Sequence, residues 1–420
     1  MLCALAALLV AALVITVVVV RRPHSAVLPG AGARGGAARP GADVASDARG
    51  DAASSLLARL TAGLQRRGDV DLAPLAGVGH TASTAELAAL RHNVRALGLT
   101  DLSMRYVEDG TDRLSDSQRR ALGPHAWVAR VQVSWRLAGY DVHRASREVA
   151  LTLRDTGSRE SFVTARHGYG DPSPLWLLER LQVRRSAHSL VAVAALDGPA
   201  RFAGLADRAV ADVRRVLPSW RGRLVVEVPR DESALDHVMG ASAGAYGEIA
   251  AVTTTADGSQ SRSAPVHIFV NPAVFDPLGP RGAQIVMSHE ATHVATGAAL
   301  STMPTWLLEG FADYVALDHV DLPPAVTASQ ILRQVRRRGA PAHLPGKAEF
   351  DAHNKSLGAS YEAAWLACRL LAERYGEKRL IDFYRTADRT SSTTTAFRAL
   401  GTTQGAFTAA WRADLRTLAG

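Results

Sequence analysis

The stretch 288–314 reads SHEATHVATGAALSTMPTWLLEGFADY, and it restricts the fold more than any other part of the 420-residue chain. Side chains four apart share one face of a helix, so a helix through His289 and His293 presents two imidazoles in one direction. Glu290 then lies about 100° around that helix, beside the pair and not in line with it. Pro304 marks a second helix start, with Trp306, Leu307, Phe311 and Val315 on its apolar side. Entered through the short Ser-Thr-Met-Pro turn, this helix can lie against the first and aim Glu309 at the point the two imidazoles share. Two imidazoles and one carboxylate suit zinc, which takes nitrogen and oxygen ligands in a tetrahedron and leaves one position open at a catalytic site. Asp313, one turn beyond Glu309, can accept the free ring N–H of a histidine ligand. Gly310 is expected to leave space beside the ligand.

Around this stretch the chain divides by texture. Residues 52–66 (AASSLLARLTAGLQR) have the spacing of an amphipathic helix. In HAWVARVQVSWRL (125–137), Trp127, Ala129, Val131, Val133, Trp135 and Leu137 alternate with more polar neighbours, a half-buried strand pattern. REVALTLRD repeats it, and 161–168 and 102–109 add two more strands, separated by turn-rich EDGTD and RDTGS. A leading helix and several antiparallel strands over about 50–185 resemble the NTF2-like cone, a curved sheet wrapped on helices. No His, Asp and Glu cluster marks this part, which reads as a non-catalytic companion domain.

From about 186 the pattern becomes strand, helix, strand: HSLVAVA (188–194), a helix with Phe202, Leu205, Ala209, Val213 and Val216 on one face, and RLVVEVP (223–229). GEIAAVTTT and VHIFVNP follow as two strands joined by ADGSQSRSA, and from 282 onward the patterns are helical. Strands first and helices second, with the histidines at the junction, give an α+β class. The expected organisation is a segment 1–22, a linker 23–50, an α+β domain 51–185 and a second domain 186–420.

Residues 1–20 form an unbroken apolar run followed by Arg21 and Arg22, long enough for a membrane-spanning helix. Basic residues placed only after it would put the rest of the chain in the cytoplasm. The Gly/Ala/Pro-rich stretch that follows is instead the spacer expected between an anchor and an exported domain, and a short basic leader upstream would remove the conflict. The expectation is a single-pass protein of the cell membrane with its bulk outside the cell, or a secreted one if the segment is cleaved. The formal net charge of +8 raises the question of nucleic acid. The arginines are scattered, the densest run is Arg336–Arg338, and no nucleic-acid motif or aromatic-basic interleaving is present. That points away from nucleic acid and toward a solvated basic surface. Cys3 and Cys368 are the only cysteines and fit neither a disulfide nor a zinc-thiolate spacing.

His289-Glu290-x-x-His293 followed by Glu309-Gly310-x-x-Asp313-Tyr314 resembles the gluzincin zinc peptidases, the thermolysin-like group. The Trp-Leu-x-Glu-Gly-Phe-Ala-Asp-Tyr form is most similar to their peptidase-MA-like branch, and the resemblance covers about 185–415. It implies Zn2+, a water nucleophile and a peptide or protein substrate. His289, His293 and Glu309 would be the ligands, Glu290 the general base, and Asp313 the residue that orients a histidine. In this family a Tyr or His of a later helix commonly stabilises the oxyanion. Tyr361, at the start of SYEAAWLACRLLAERYG (360–376), is the candidate, His353 the rival, and Cys368 inert core. The family also pairs an extended substrate with an edge strand above the metal, for which 248–255 is preferred over 266–272. Two other readings remain open from the residues: a zinc-binding, non-hydrolytic anchored assembly or binding protein, and a hydrolase of cell-wall amide bonds.

Overall fold

The computed structural model describes residues 40–77, 80–110, 114–157, 159–166, 172–194, 198–318, 320–351 and 354–420. The apolar segment 1–22, the first part of the expected linker and His353 lie outside the described residues. Among the described residues no helix is long and apolar enough to cross a membrane. The class is α+β, and the chain divides into two compact units at Leu181/Gln182.

In the first unit, helix α1 (Pro40–Gln65) begins well before the expected 52–66, so the last part of the expected linker is helical. Pro40 stands at the first helical position, where its missing N–H is not needed. Leu56, Leu57, Leu60 and Leu64 of α1 are buried at helical spacing. Helix α2 (Thr81–Ala96) adds Leu87, Leu90 and Val94 to the core. Strands β1 (Leu99–Asp109), β2 (Ala126–Leu137), β3 (Ala145–Asp155) and β4 (Glu160–Thr164) form an antiparallel sheet in that order. The β2–β3 register pairs Val131 with Val149 and Trp127 with Leu153, so the alternating apolar side chains stack on one face. Ala129, Val131, Val133, Trp135 and Leu137 are buried, with Trp127 partly so. Val128, on the opposite face, is buried too, because Leu114 and Ala150 cluster with it and helix α3 (Asp116–Leu122) brings Leu122 against them. The short helix α4 (Leu175–Leu178) sets Trp176 edge-on to Trp135.

The second unit opens with β5 (Gln182–Arg185), which pairs antiparallel with β6 (Ser189–Val193). Its side chains are largely exposed, so no apolar pattern announces it. Helix α5 (Ala200–Val216) connects β6 to β7 (Leu224–Val228), which run parallel as a strand–helix–strand crossover should. Helix α6 (Glu232–Met239), β8 (Ala251–Thr255) and β9 (Val266–Val270) complete a sheet of order β5-β6-β7-β9-β8. β9 is parallel to β7 and antiparallel to β8, which takes the sheet edge. After the short α7 (Pro272–Phe275) come α8 (Gly279–Thr296), α9 (Thr305–Leu317), α10 (Pro324–Thr327), α11 (Ser329–Arg338), α12 (Leu357–Tyr375), α13 (Glu377–Thr390), α14 (Thr393–Ala399) and α15 (Gln404–Ala419).

Candidate metal centre

Helix α8 packs between α5 and the edge strand β8 and delivers His289, Glu290 and His293, all fully buried or nearly so. A hydrogen bond of 2.7 Å from Ser288 Oγ to the buried Asp212 of α5 fixes the helix from behind. Gly297 ends α8 in the left-handed conformation at φ 71°, and its N–H bonds to the carbonyls of His293 and Val294. Glycine takes that conformation without the steric cost a side chain would add. The chain therefore reverses one turn after His293 and re-enters α9 at Pro304, which brings Glu309 and Asp313 back along the face of α8.

The result is a buried tripod. Glu309 Oε2 lies 3.2 Å from His289 Nε2 and 3.4 Å from His293 Nε2. All three ligand-type atoms lie within 4.8 Å of one another. Zinc bound at about 2.0–2.1 Å in a tetrahedron separates its ligand atoms by about 3.3 Å, which the two carboxylate–imidazole distances match. The two rings stand nearly perpendicular, 82° apart, with centroids 4.6 Å apart. Among the described residues Glu290 Oε1 is buried without a hydrogen-bond partner, and His293 Nε2 has no hydrogen bond beyond its 3.4 Å approach to Glu309 Oε2; an unsatisfied buried group of this kind costs about 1–3 kcal/mol. An ion held by the three residues would complete the coordination of His293 Nε2. The residues present therefore fit a zinc ion.

Asp313 Oδ1 lies 2.7 Å from His289 Nδ1, as expected for the carboxylate that orients a histidine ligand. Among the described residues His293 Nδ1 has no such partner. Thr253 of β8 was not marked by any sequence pattern, yet its hydroxyl donates to Glu290 Oε2 at 2.6 Å. The bond leaves Oε1 as the carboxylate's open oxygen. Ala250 accepts the Asn271 N–H and Ala256 donates to the Pro265 carbonyl, both at the ends of β9. Antiparallel alternation then turns the backbone polar groups of Ala251, Thr253 and Thr255 toward the open edge. Of the two candidate edge strands, β8 holds that position and β9 is internal.

Tyr361 sits in the second turn of α12, 3% exposed. Its ring centroid is 6.3 Å from that of His289 and 5.0 Å from Phe350, edge-on. The structure thus places it beside a tripod residue, deeper than a helix mouth. Burial pushes the Cys368 thiol well up, consistent with an inert core position. The space expected beside Glu309 at Gly310 is filled. A Cβ there would stand 2.3 Å from the Ala364 carbonyl oxygen, so Gly310 serves the close approach of α9 to α12.

Charge in the tripod is shared unevenly. Burial pushes the Glu309 carboxyl up, but the His293 and His289 imidazoles outweigh it and hold it below the usual carboxylate range. Burial raises Glu290, opposed by the same imidazoles. For His289 burial favours the neutral ring, and Asp313 and Glu309 overcome it, lifting the imidazole to about 10. A raised imidazole keeps its proton at pH below that value, and an ion must displace it. Metal affinity is therefore expected to fall about tenfold for each unit of acidification below neutrality. Calorimetry in buffers of different ionisation heat should report about one proton released per zinc at pH 7, whereas zero release would place a neutral His289 in the ion-free protein.

Comparison of the chain with protein-family models, with curated proteins and with solved structures gave no match.

Proposed function

We propose that the chain is a zinc-dependent peptidase of gluzincin type. The observation that carries the reading is the tripod of His289 Nε2, His293 Nε2 and Glu309 Oε2 with Glu290 beside it. When bound, zinc supplies Lewis acidity, lowering the pKa of a water and polarising the scissile carbonyl. Glu290, held through Oε2 by Thr253, uses its open Oε1 to take the proton of the attacking water and return it to the leaving amine. Its burial raises the carboxyl, which brings a general base closer to the working pH. Asp313 keeps the His289 proton on Nδ1 and leaves Nε2 for the ion. Tyr361 donates to the carbonyl oxygen as that oxygen gains charge. An extended substrate pairs with the outward backbone groups of β8 near Thr253, which fixes register without demanding a particular side chain.

The first unit is read as an NTF2-like companion, and residues 1–20 as the membrane anchor that holds the peptidase outside the cell. The test is cleavage of a quenched peptide library by the zinc-loaded full chain. Turnover should disappear with 1,10-phenanthroline and return with added zinc. A chain that holds one zinc and cleaves nothing would instead be a metal-binding, non-hydrolytic protein, and release of wall fragments without peptide cleavage would mark a cell-wall amide hydrolase.

A further inference from the structure

A second site is built where α11 passes the start of α12. Arg333, Arg337 and Arg338 from α11 and Lys355 from the turn before α12 line one cavity of about 190 Å³ with Gln334 and Ser356. All four cations are exposed, and among the described residues no carboxylate lines the cavity with them. No ion pair or hydrogen bond joins the side chain of any of the four to a described residue. Arg333 also acts at a distance on the buried Glu362, whose carboxyl burial lifts to about 8.

Stability of the fold does not account for this set. Arg337 and Arg338 in the last turn of α11 favour the negative end of the helix dipole. Arg333 lies in the middle of that helix, four residues from Arg337, where like charges repel. Lys355 precedes the first turn of α12, the dipole's positive end, where a cation is unfavourable. Four basic residues line a space of about 190 Å³, room for on the order of six water molecules. An occupant that small and able to answer several cations must concentrate two or more negative charges on few atoms. A phosphate group does so, and it accepts the paired N–H bonds of arginine.

We propose that Arg333, Arg337, Arg338 and Lys355 bind a compact polyvalent oxyanion of the phosphate class, at a site separate from the metal centre. The phosphate group is either free or carried on a lipid headgroup. Titration of the zinc-loaded full chain with inorganic phosphate at constant ionic strength should give saturable, one-site binding. Arg333→Gln/Arg337→Gln should weaken that binding at least tenfold. Arg66→Gln/Arg67→Gln removes the same charge from exposed positions of the other unit and should change it less than twofold. Vesicles of phosphatidylcholine with and without phosphatidylglycerol separate the sources. Retention on anionic vesicles that phosphate displaces, and that Arg333→Gln/Arg337→Gln loses, assigns a lipid headgroup. Phosphate binding with no such retention assigns a free phosphate. Absence of saturable binding, or equal losses in the two double variants, overturns the site.

Discussion

Glu290→Gln is expected to leave a chain that folds and takes up one zinc per molecule yet turns over peptides about 10²–10⁴-fold more slowly. The separation of these effects follows from the placement of the side chain. Glu290 is on the same helix as both imidazoles but is not among the three residues that could hold the ion. A glutamine of the same shape can still accept the Thr253 hydroxyl bond that now reaches Oε2. What it lacks is basicity: an amide cannot take a proton from water at neutral pH. Zinc content by atomic absorption, the melting temperature and kcat on one peptide decide the matter together. Loss of zinc along with activity would make Glu290 a structural or ligating group, and activity within tenfold of the parent would remove it as the base.

The parts of the centre that were legible in the sequence share one property: their geometry is set within a single helix. His289 and His293, and likewise Glu309 and Asp313, are four apart, so helical periodicity alone puts each pair on one face. The short turn between the helices then leaves little freedom in how they meet. Thr253 was not legible, because its role depends on which strand ends up beside α8, and nothing in AVTTT singles out the first of its three threonines. The same holds for Asp212, whose bond to Ser288 spans 76 residues. In the first unit the alternation of β2 located its core face, while the burial of Val128 on the other face required knowing that Leu114 and Ala150 converge there. The start of α1 was obscured by composition: Gly, Ala and Pro together read as linker, although Pro at the first helical position and alanine thereafter are compatible with a helix. β5 has mostly exposed side chains and is defined by its pairing with β6 alone.

Gly310 is the position where local and tertiary readings diverge most, and it carries the second large effect. Gly310→Ala should destabilise the unit that holds the metal centre and weaken zinc binding at the same time. The added Cβ would lie 2.3 Å from the carbonyl oxygen of Ala364, 2.6 Å from its carbonyl carbon and 3.1 Å from Cys368 Sγ. Two of these atoms are backbone, so relief requires α9 and α12 to separate, not a side chain to rotate. Overpacking of this kind costs about 1–3 kcal/mol. Alanine in place of glycine within a helix returns about 0.8–1 kcal/mol; because the obstructing atoms are main chain, the upper end of the overpacking cost applies and a net loss of up to about 2 kcal/mol remains, worth a few degrees in melting temperature for a unit of this size. Glu309 precedes Gly310 directly, and any shift of α9 moves Oε2 off the point that closes the tripod. Zinc affinity should therefore fall even in the fraction that stays folded. Cys368→Ala in the same chain relieves only the 3.1 Å contact, and Ala364→Gly relieves nothing, since the obstructing atoms belong to the main chain. A Gly310→Ala protein with unchanged melting temperature and zinc affinity would mean that the two helices are not in contact at this residue, and the tripod would lose the packing that positions its carboxylate.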